Sequence, residues 1–223
     1  MIPYIAKWFT GGGPFMWAIL AVLAFAAAVV IERVIFYYII CRGRGTKIVA
    51  GVARCLNGGE AERALELASG AAPVTVLIRT AVERFNAGMD VTEIQEGIEE
   101  AAIKELPRYS NRLNYLVLFA NIATLLGLLG TITGLQLAFS SLGSVEASKK
   151  ATMLATGISE LMVCTAFGLM VAIPSMVAYT MLNNKQLRLT RDLDESVVKL
   201  MNFLRKKEVK GLKPEATGAQ DAP

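Results

Sequence analysis

Three polar side chains lie inside long apolar stretches of this chain, and their types suit the passage of a proton or another cation. Thr131, Thr165 and Glu160 each sit among residues that are otherwise apolar or small. A carboxylate inside a bilayer costs about 3 kcal/mol and usually marks an ion path, a proton site or a salt bridge. A hydroxyl is tolerated there where it meets protein, water or an ion. We therefore predict that these three residues belong to a proton pathway or its lumen.

The two threonines are predicted to lie at the same depth in the membrane. Thr131 is nine residues before Ser140, and Thr165 is ten residues after Ala155. At about 1.5 Å per residue, each lies roughly 14 Å below the outer surface. Two hydroxyls at one depth on antiparallel helices would form part of one ring. Alternatively, each hydroxyl only bonds back to a carbonyl of its own helix.

Glu160 has two possible roles, a structural salt bridge or a place in an ion pathway. It could pair with a basic residue such as Lys149 or Lys150, but both are at least ten positions earlier on the same helix. That separation favours a partner in another subunit. Thr165 follows Glu160 by five residues, which is about 140° around a helix, so one of the two faces a lumen and the other a seam between subunits.

Glycines accompany these polar residues, and we predict that they serve helix packing. Glycine weakens a helix in water by roughly 1 kcal/mol relative to alanine, whereas in a bilayer small residues let helices approach closely. The predicted packing positions are Gly127, Gly130, Gly134, Gly157 and Gly168.

The elements that would position these residues are three spanning helices. The 223-residue chain is 54% hydrophobic, and three apolar runs each supply the about 20 residues that a bilayer core requires. We predict an all-α membrane protein with three transmembrane helices, at 14–40, 113–142 and 153–183, and with long cytoplasmic helical extensions.

The basic residues predict the orientation of these spans. The segment 41–112 holds ten Lys or Arg, whereas the stretch before the first span holds only Lys7. The positive-inside rule then makes 41–112 a cytoplasmic helical region and 184–209 a cytoplasmic amphipathic helix. It places the N-terminal segment 1–13 outside and makes 143–152 a short periplasmic loop. The Gly-, Pro- and Ala-rich segment 210–223 is predicted to be a disordered tail.

Apolar periodicity predicts the helices of the cytoplasmic region. They cover 46–56, 59–68 and 73–86, and a fourth begins at Val91. Pro107 is predicted to be a kink or a boundary before the second span. We interpret this region as an extension of the helical bundle, because it is too small and too charged for a catalytic domain.

Composition argues against several function classes. The chain has no histidine, which excludes His-dependent nucleophiles and the HExxH metal site, so we predict no enzyme activity, metal or cofactor. Its net charge of +4 reflects topology, and acidic residues between Glu60 and Glu105 leave no basic stripe for nucleic acid. The three cysteines, Cys41, Cys55 and Cys164, are interpreted as small apolar fillers.

Two motifs resemble those of the ExbB/TolQ/MotA proton-channel family. They are GLLGTITG at Gly127–Gly134 and GISELMVCTAFGLMVAIPSMVAY at Gly157–Tyr179. Glu32-Arg33 after the first span extends the resemblance. Three spans with one large cytoplasmic loop resemble the ExbB/TolQ branch.

The resemblance implies a homopentamer in the bacterial inner membrane. In that membrane the orientation predicted from the basic residues makes the N-terminus periplasmic and the C-terminus cytoplasmic. The pentamer would surround two copies of an ExbD/TolR-like single-span protein whose aspartate carries the proton. A TonB/TolA-like or gliding-machinery protein and membrane lipids are the other implied partners. Thr131 and Thr165 match the family's lumen-facing threonines, and Glu160 matches its intramembrane glutamate. Thr124 stands where the family often has proline, so no hinge role is carried over.

These observations lead to one principal hypothesis and two competing ones. The principal hypothesis is a stator and channel subunit of a motor driven by the proton-motive force. The alternative is a passive membrane scaffold that assembles envelope proteins without conducting ions. A secondary transporter is the third, and the absence of an inverted repeat in three spans argues against it.

Overall fold

The computed structural model describes residues 13–41, 45–141 and 147–209, and each regular element in these ranges is helical. The all-α fold class is therefore confirmed. Most of the predicted N-terminal segment 1–13, part of the predicted loop 143–152 and the tail 210–223 lie outside these ranges. The helices are α1 (Gly13–Ile35), α2 (Gly45–Asn57), α3 (Ala61–Leu67), α4 (Pro73–Asn86), α5 (Val91–Glu105), α6 (Pro107–Ser110), α7 (Asn114–Ser141) and α8 (Ala147–Val209).

Within the described ranges, three stretches of helix are long and apolar enough to cross a membrane, judged by length and composition. They lie within Pro14–Asn57, Val91–Ser141 and Lys150–Glu208. Each contains one of the three apolar runs of the sequence. A π-helical turn, Phe36–Ile40, continues α1 at its C-terminal end.

The chain divides into two compact units. The span unit consists of Met1–Arg33 with Arg112–Leu182, and the extension unit consists of Val34–Asn111 with Asn183–Pro223. Helix α8 contributes to both units, because its 63 residues continue from Ala147 to Val209 with Pro174 inside the helix.

The core of the span unit is built from small side chains. Phe15 and Val22 of α1, with Leu126 and Phe167, pack against a fully buried cluster. Phe25 of α1 stacks on Phe119 of α7 with ring centroids 6.2 Å apart. The buried cluster consists of Ile19, Ala120, Ala123, Cys164, Val171 and Ala172.

The extension unit has a core of larger aliphatic side chains. Helices α4 and α5 form a hairpin whose turn contains Gly88, at a φ of +75° that favours glycine. Asp90 and Glu93 form a capping box at the start of α5. The buried side chains of this unit include Leu77, Ile78, Val82, Ile94, Ile98, Leu193, Leu200 and Leu204.

Polar contacts fasten the C-terminal part of α8 within the extension unit. Asp192 accepts a hydrogen bond of 2.8 Å from the backbone N–H of Gly45, at the N-terminus of α2. Lys207 donates to the carbonyl of Leu56 at the C-terminal end of α2. One helix thus supplies an acidic group to one end of α2 and a basic group to the other, as the helix dipole favours.

The chain between the cytoplasmic helices and the second span is interrupted twice. Pro107 is a helix boundary, as predicted, because α5 ends at Glu105 and the four-residue helix α6 begins at Pro107; a second break, which was not predicted, follows at residues 111–113. There Arg112 has a positive φ of 62°, which interrupts the helix. The side chain of Arg112 pairs with Glu32 of α1 at 2.8 Å.

Candidate functional site

Helices α7 and α8 approach each other most closely at Gly127 and Gly168. A Cβ at Gly127 would lie 3.2 Å from both the carbonyl oxygen of Cys164 and the Cα of Thr165. A Cβ at Gly168 would lie only 2.6 Å from the carbonyl oxygen of Ala123. Because these obstacles are backbone atoms, no side-chain rotation can relieve them. The two glycines therefore permit a spacing that any other residue would widen.

The remaining glycines named by the sequence analysis also lie against the partner helix, in looser settings. A Cβ at Gly130 would lie 2.5 Å from the Sγ of Cys164, and one at Gly134 would collide with the side chain of Leu161. At Gly157 the nearest atom, the Cβ of Ala138, is an ordinary contact at 3.4 Å. The demand for glycine therefore weakens from Gly168 towards Gly157.

This close approach brings the two predicted threonines together. The hydroxyl of Thr165 lies 3.0 Å from the carbonyl oxygen of Gly127 and 3.4 Å from the hydroxyl oxygen of Thr131. Thr131 donates its own proton to the carbonyl of Leu128 at 2.7 Å. It can therefore only accept from Thr165, because a hydroxyl has one proton and two lone pairs.

The geometry combines the two alternatives that the sequence left open. Thr131 bonds back to its own helix, whereas Thr165 reaches across to α7. The hydroxyl of Thr133 bonds only within its own helix, with its oxygen 2.8 Å from the carbonyl oxygen of Leu129 and 3.2 Å from that of Gly130. The pair formed by Thr131 and Thr165 is hereafter called the threonine pair.

The threonine pair can form hydrogen bonds to a ligand, but its hydroxyl groups do not exchange protons near neutral pH. Both side chains are partly accessible, and the oxygen of Thr131 keeps a lone pair for a water, a hydronium ion or a carboxyl group. A hydroxyl does not titrate reversibly near neutral pH. The threonine pair therefore cannot itself gain and lose a proton in this pH range.

Glu160 was predicted to lie within the third span, and its side chain lies outside what the structure describes. Its backbone belongs to α8, five residues before Thr165. Its role in a pathway or at a subunit seam stays a prediction.

A second charged group lies at the opposite end of the span unit. The carboxylate of Glu32 accepts hydrogen bonds of 2.8 Å from both Arg33 and Arg112. The pair Glu32-Arg33 is visible in the sequence, whereas no sequence pattern indicates Arg112, 80 residues away, as a partner of Glu32. This arrangement is a structural ion pair, since each charge on it has a partner.

One group near the threonine pair, the carbonyl of Gly127, was missed by sequence reasoning, because no residue type reveals it. Cys164 was predicted to be a small apolar filler, and it is 1% exposed and fills the space over Gly130. Among the described residues, no group of three or more His, Cys, Asp or Glu could hold a metal ion.

Comparison with known proteins identifies what this chain resembles. The sequence profile of the MotA/TolQ/ExbB proton channel family matches residues 70–195, which is more than half of the chain and includes both motifs. The Tol-Pal system protein TolQ of Haemophilus influenzae is 38% identical over 82 residues, which are 36% of this chain and 35% of that protein. The biopolymer transport protein ExbB of Salmonella typhimurium is 33% identical over 96 residues, which are 40% and 39% of the two chains.

A third relative aligns over more of the chain. The putative biopolymer transport protein ExbB homolog of Methanothermobacter thermautotrophicus is 27% identical over 202 residues, which are 89% of this chain and 70% of that protein. The matches to the TolQ and ExbB proteins named above span less than half of those proteins.

Proposed function

We propose a function from one premise, which is that this chain belongs to the MotA/TolQ/ExbB proton channel family. It is a membrane protein with helices of spanning length and composition. We infer that it is the ring-forming stator and channel subunit of a motor driven by the proton-motive force. The observation that carries the proposal is the hydrogen-bonded threonine pair, held at the backbone-to-backbone contact of α7 and α8.

The proposed assembly is a homopentamer in the bacterial inner membrane. The names of the TolQ and ExbB relatives support an envelope energy-transducing role, in a Tol-Pal or biopolymer transport system. The N-terminus is proposed to face the periplasm, and residues 41–112 and 184–209 the cytoplasm, because basic residues concentrate there. The segment predicted as the loop 143–152 then lies on the periplasmic side, although its residues from Ala147 onward belong to α8.

The proton carrier is proposed to belong to a partner. The threonine pair can hydrogen-bond a carboxyl group but cannot carry the proton itself. We therefore assign the lumen of the ring to two copies of an ExbD/TolR-like single-span protein with an intramembrane aspartate. As that carboxyl group is protonated and released, its hydrogen bonds to the threonine pair change, and the ring moves relative to the partner. A TonB/TolA-like or gliding-machinery protein would take up the motion.

The test removes both hydroxyls while keeping the side-chain shape. Thr131→Val with Thr165→Val should strongly reduce proton entry into vesicles that contain the chain together with an ExbD/TolR-like single-span protein. A pH-sensitive dye would measure the flux, with a loss of at least about tenfold expected, because one hydrogen-bond donor in a polar site is commonly worth that much. The matched control is Thr133→Val, whose hydroxyl only bonds within α7, and it should leave the flux unchanged.

Assembly must be measured on the same variants. If the double variant keeps its oligomeric mass and its full proton flux, the threonine pair has no role in conduction. If neither the wild type nor the variants conduct in the presence of the partner, the passive scaffold becomes the better description.

A further inference from the structure

Helices α7 and α8 each carry a polar side chain on the surface that faces away from the other helix. On α7 it is Gln136, and on α8 it is Ser159. Both side chains are exposed, and neither forms a hydrogen bond within the described part of the chain. The threonine pair and the glycine contact involve neither residue.

The contact between Gly127 and Gly168 fixes where these two residues lie. Gln136 is nine residues after Gly127, and Ser159 is nine residues before Gly168. Because α7 and α8 are antiparallel, both steps lead in the same direction along the pair. Nine residues of α-helix are about 14 Å of rise and two and a half turns. Gln136 and Ser159 therefore lie at one depth, each on the side of its helix that faces away from the other helix.

Contacts farther along the pair keep this register. The position of Gly134 meets Leu161, and that of Gly157 meets Ala138, so the two helices remain side by side at the level of Gln136 and Ser159. Two outward-facing neighbours are apolar and exposed, Ile132 at 55% and Met162 at 65%. Both polar groups therefore project from surfaces that suit lipid or another apolar helix.

Lipid would leave these groups without hydrogen bonds, which is unfavourable for a carboxamide within a membrane span. A single helix laid against one face could satisfy only one of them. A second copy of this chain presents the missing group at the same depth, on the opposite side. The amide can donate to the serine oxygen or accept from its proton.

We propose that Gln136 of one copy forms a hydrogen bond with Ser159 of the next copy, where the outer face of α7 meets the outer face of α8. Such a contact joins two different surfaces, so its repetition closes a ring when the rotation is suitable. The inference rests on the proposed ring and names the contact that holds it, without depending on the number of copies.

Disulfide cross-linking in native membranes tests this contact. The double variant Gln136→Cys with Ser159→Cys, treated with a mild oxidant, should form a ladder from dimers up to the complete ring, because bonded cysteines need Cα atoms within about 7 Å. Wild-type membranes treated in the same way set the background from the native cysteines.

Three controls distinguish this contact from other arrangements. When the single variants Gln136→Cys and Ser159→Cys are produced together as separate chains, only dimers should form. Each chain then carries one introduced cysteine and can bond to only one neighbour. Leu137→Cys with Ser159→Cys should give no ladder, because Leu137, 70% exposed, is rotated by about 100° from Gln136. Gln136→Cys alone should also give no dimer.

The outcomes separate this contact from the function proposed above. A wild-type oligomeric mass without a ladder from the double variant would overturn the contact and leave the ring intact. Dimers from Gln136→Cys alone would overturn it in favour of a two-fold contact. A monomeric wild-type mass in mild detergent and in cross-linked membranes would overturn both proposals.

Discussion

Helix α8 is one continuous helix that packs in two different ways. In its part within the span unit, Ala147–Leu182, the contact positions carry small residues such as Gly168, Cys164 and Ala172. In its part within the extension unit, the buried positions carry Leu193, Leu200 and Leu204. The change occurs without any interruption of the helix.

The difference follows from the solvent that each part is built for. In water, burying apolar area stabilises a helix contact by about 25 cal/mol per Å², so large aliphatic side chains are favoured. Lipid tails are as apolar as leucine, so burial there gives no such gain. Close van der Waals contact and hydrogen bonds between helices remain, and both require small residues and hydroxyls. The contrast is seen between the span unit, with Gly168 and the threonine pair, and the extension unit, with Leu200.

The largest effect is expected from breaking the glycine contact. Gly168→Val would place a side chain against the carbonyl oxygen of Ala123, where even a Cβ would be only 2.6 Å away. We expect α7 and α8 to separate and the oligomeric assembly to be lost, as measured by native mass in mild detergent. Gly157→Ala is the matched control, because its Cβ would meet only an ordinary 3.4 Å contact. Normal assembly of Gly168→Val would refute the view that the span unit depends on backbone approach.

The sequence could predict the helices better than the contacts between them. Helix α4 was expected at 73–86 and is observed at Pro73–Asn86, because Pro73 suits a first turn and Gly88 a helix end. The equal depth of Thr131 and Thr165 was also accessible, since helical rise is constant. Their direct contact comes from the structure, in which the two hydroxyl oxygens are 3.4 Å apart.

Other features depend on partners that residue types do not reveal. The acceptor of Thr165 is a backbone carbonyl, that of Gly127, and every residue carries one. The break at Arg112 requires a positive φ in a residue that has no special preference for it. The direction in which Thr131 donates depends on the local turn of α7, so the sequence left it as one of two alternatives.

A second prediction tests the side-chain packing of the extension unit. Leu200→Ala removes a fully buried side chain and should lower the free energy of unfolding of this unit by about 2–5 kcal/mol. Limited proteolysis of the full chain in detergent, followed across temperature, would detect the earlier opening. Val198→Ala is the control, because Val198 is 58% exposed on the same helix. An unchanged span unit, with normal oligomeric mass, is expected in both variants.

A smaller effect is expected at the start of α5. Asp90→Ala removes one half of the capping box with Glu93 and should cost about 1 kcal/mol of the stability of the extension unit. The same proteolysis assay should show a shift well below that of Leu200→Ala. Glu96→Ala, an exposed position on the same helix, should show none. A shift as large as that of Leu200→Ala would mean that local capping, and not the buried core, dominates this unit.

The smallest effect is expected from an exposed ion pair of the extension unit. Arg79 and Glu83 lie one turn apart on α4, 2.7 Å from nitrogen to oxygen, with about half of each side chain exposed. Such pairs contribute about 0.3–0.5 kcal/mol, because water screens the charges and both side chains lose freedom. Glu83→Gln should therefore change the unfolding temperature of the full chain by no more than the assay error, at low and at high salt. A salt-dependent loss comparable to that of Asp90→Ala would show that surface charge contributes more to the extension unit than its aliphatic core suggests. Surface charge would then have to be added to small-residue packing and aliphatic packing in the comparison of the two parts of α8.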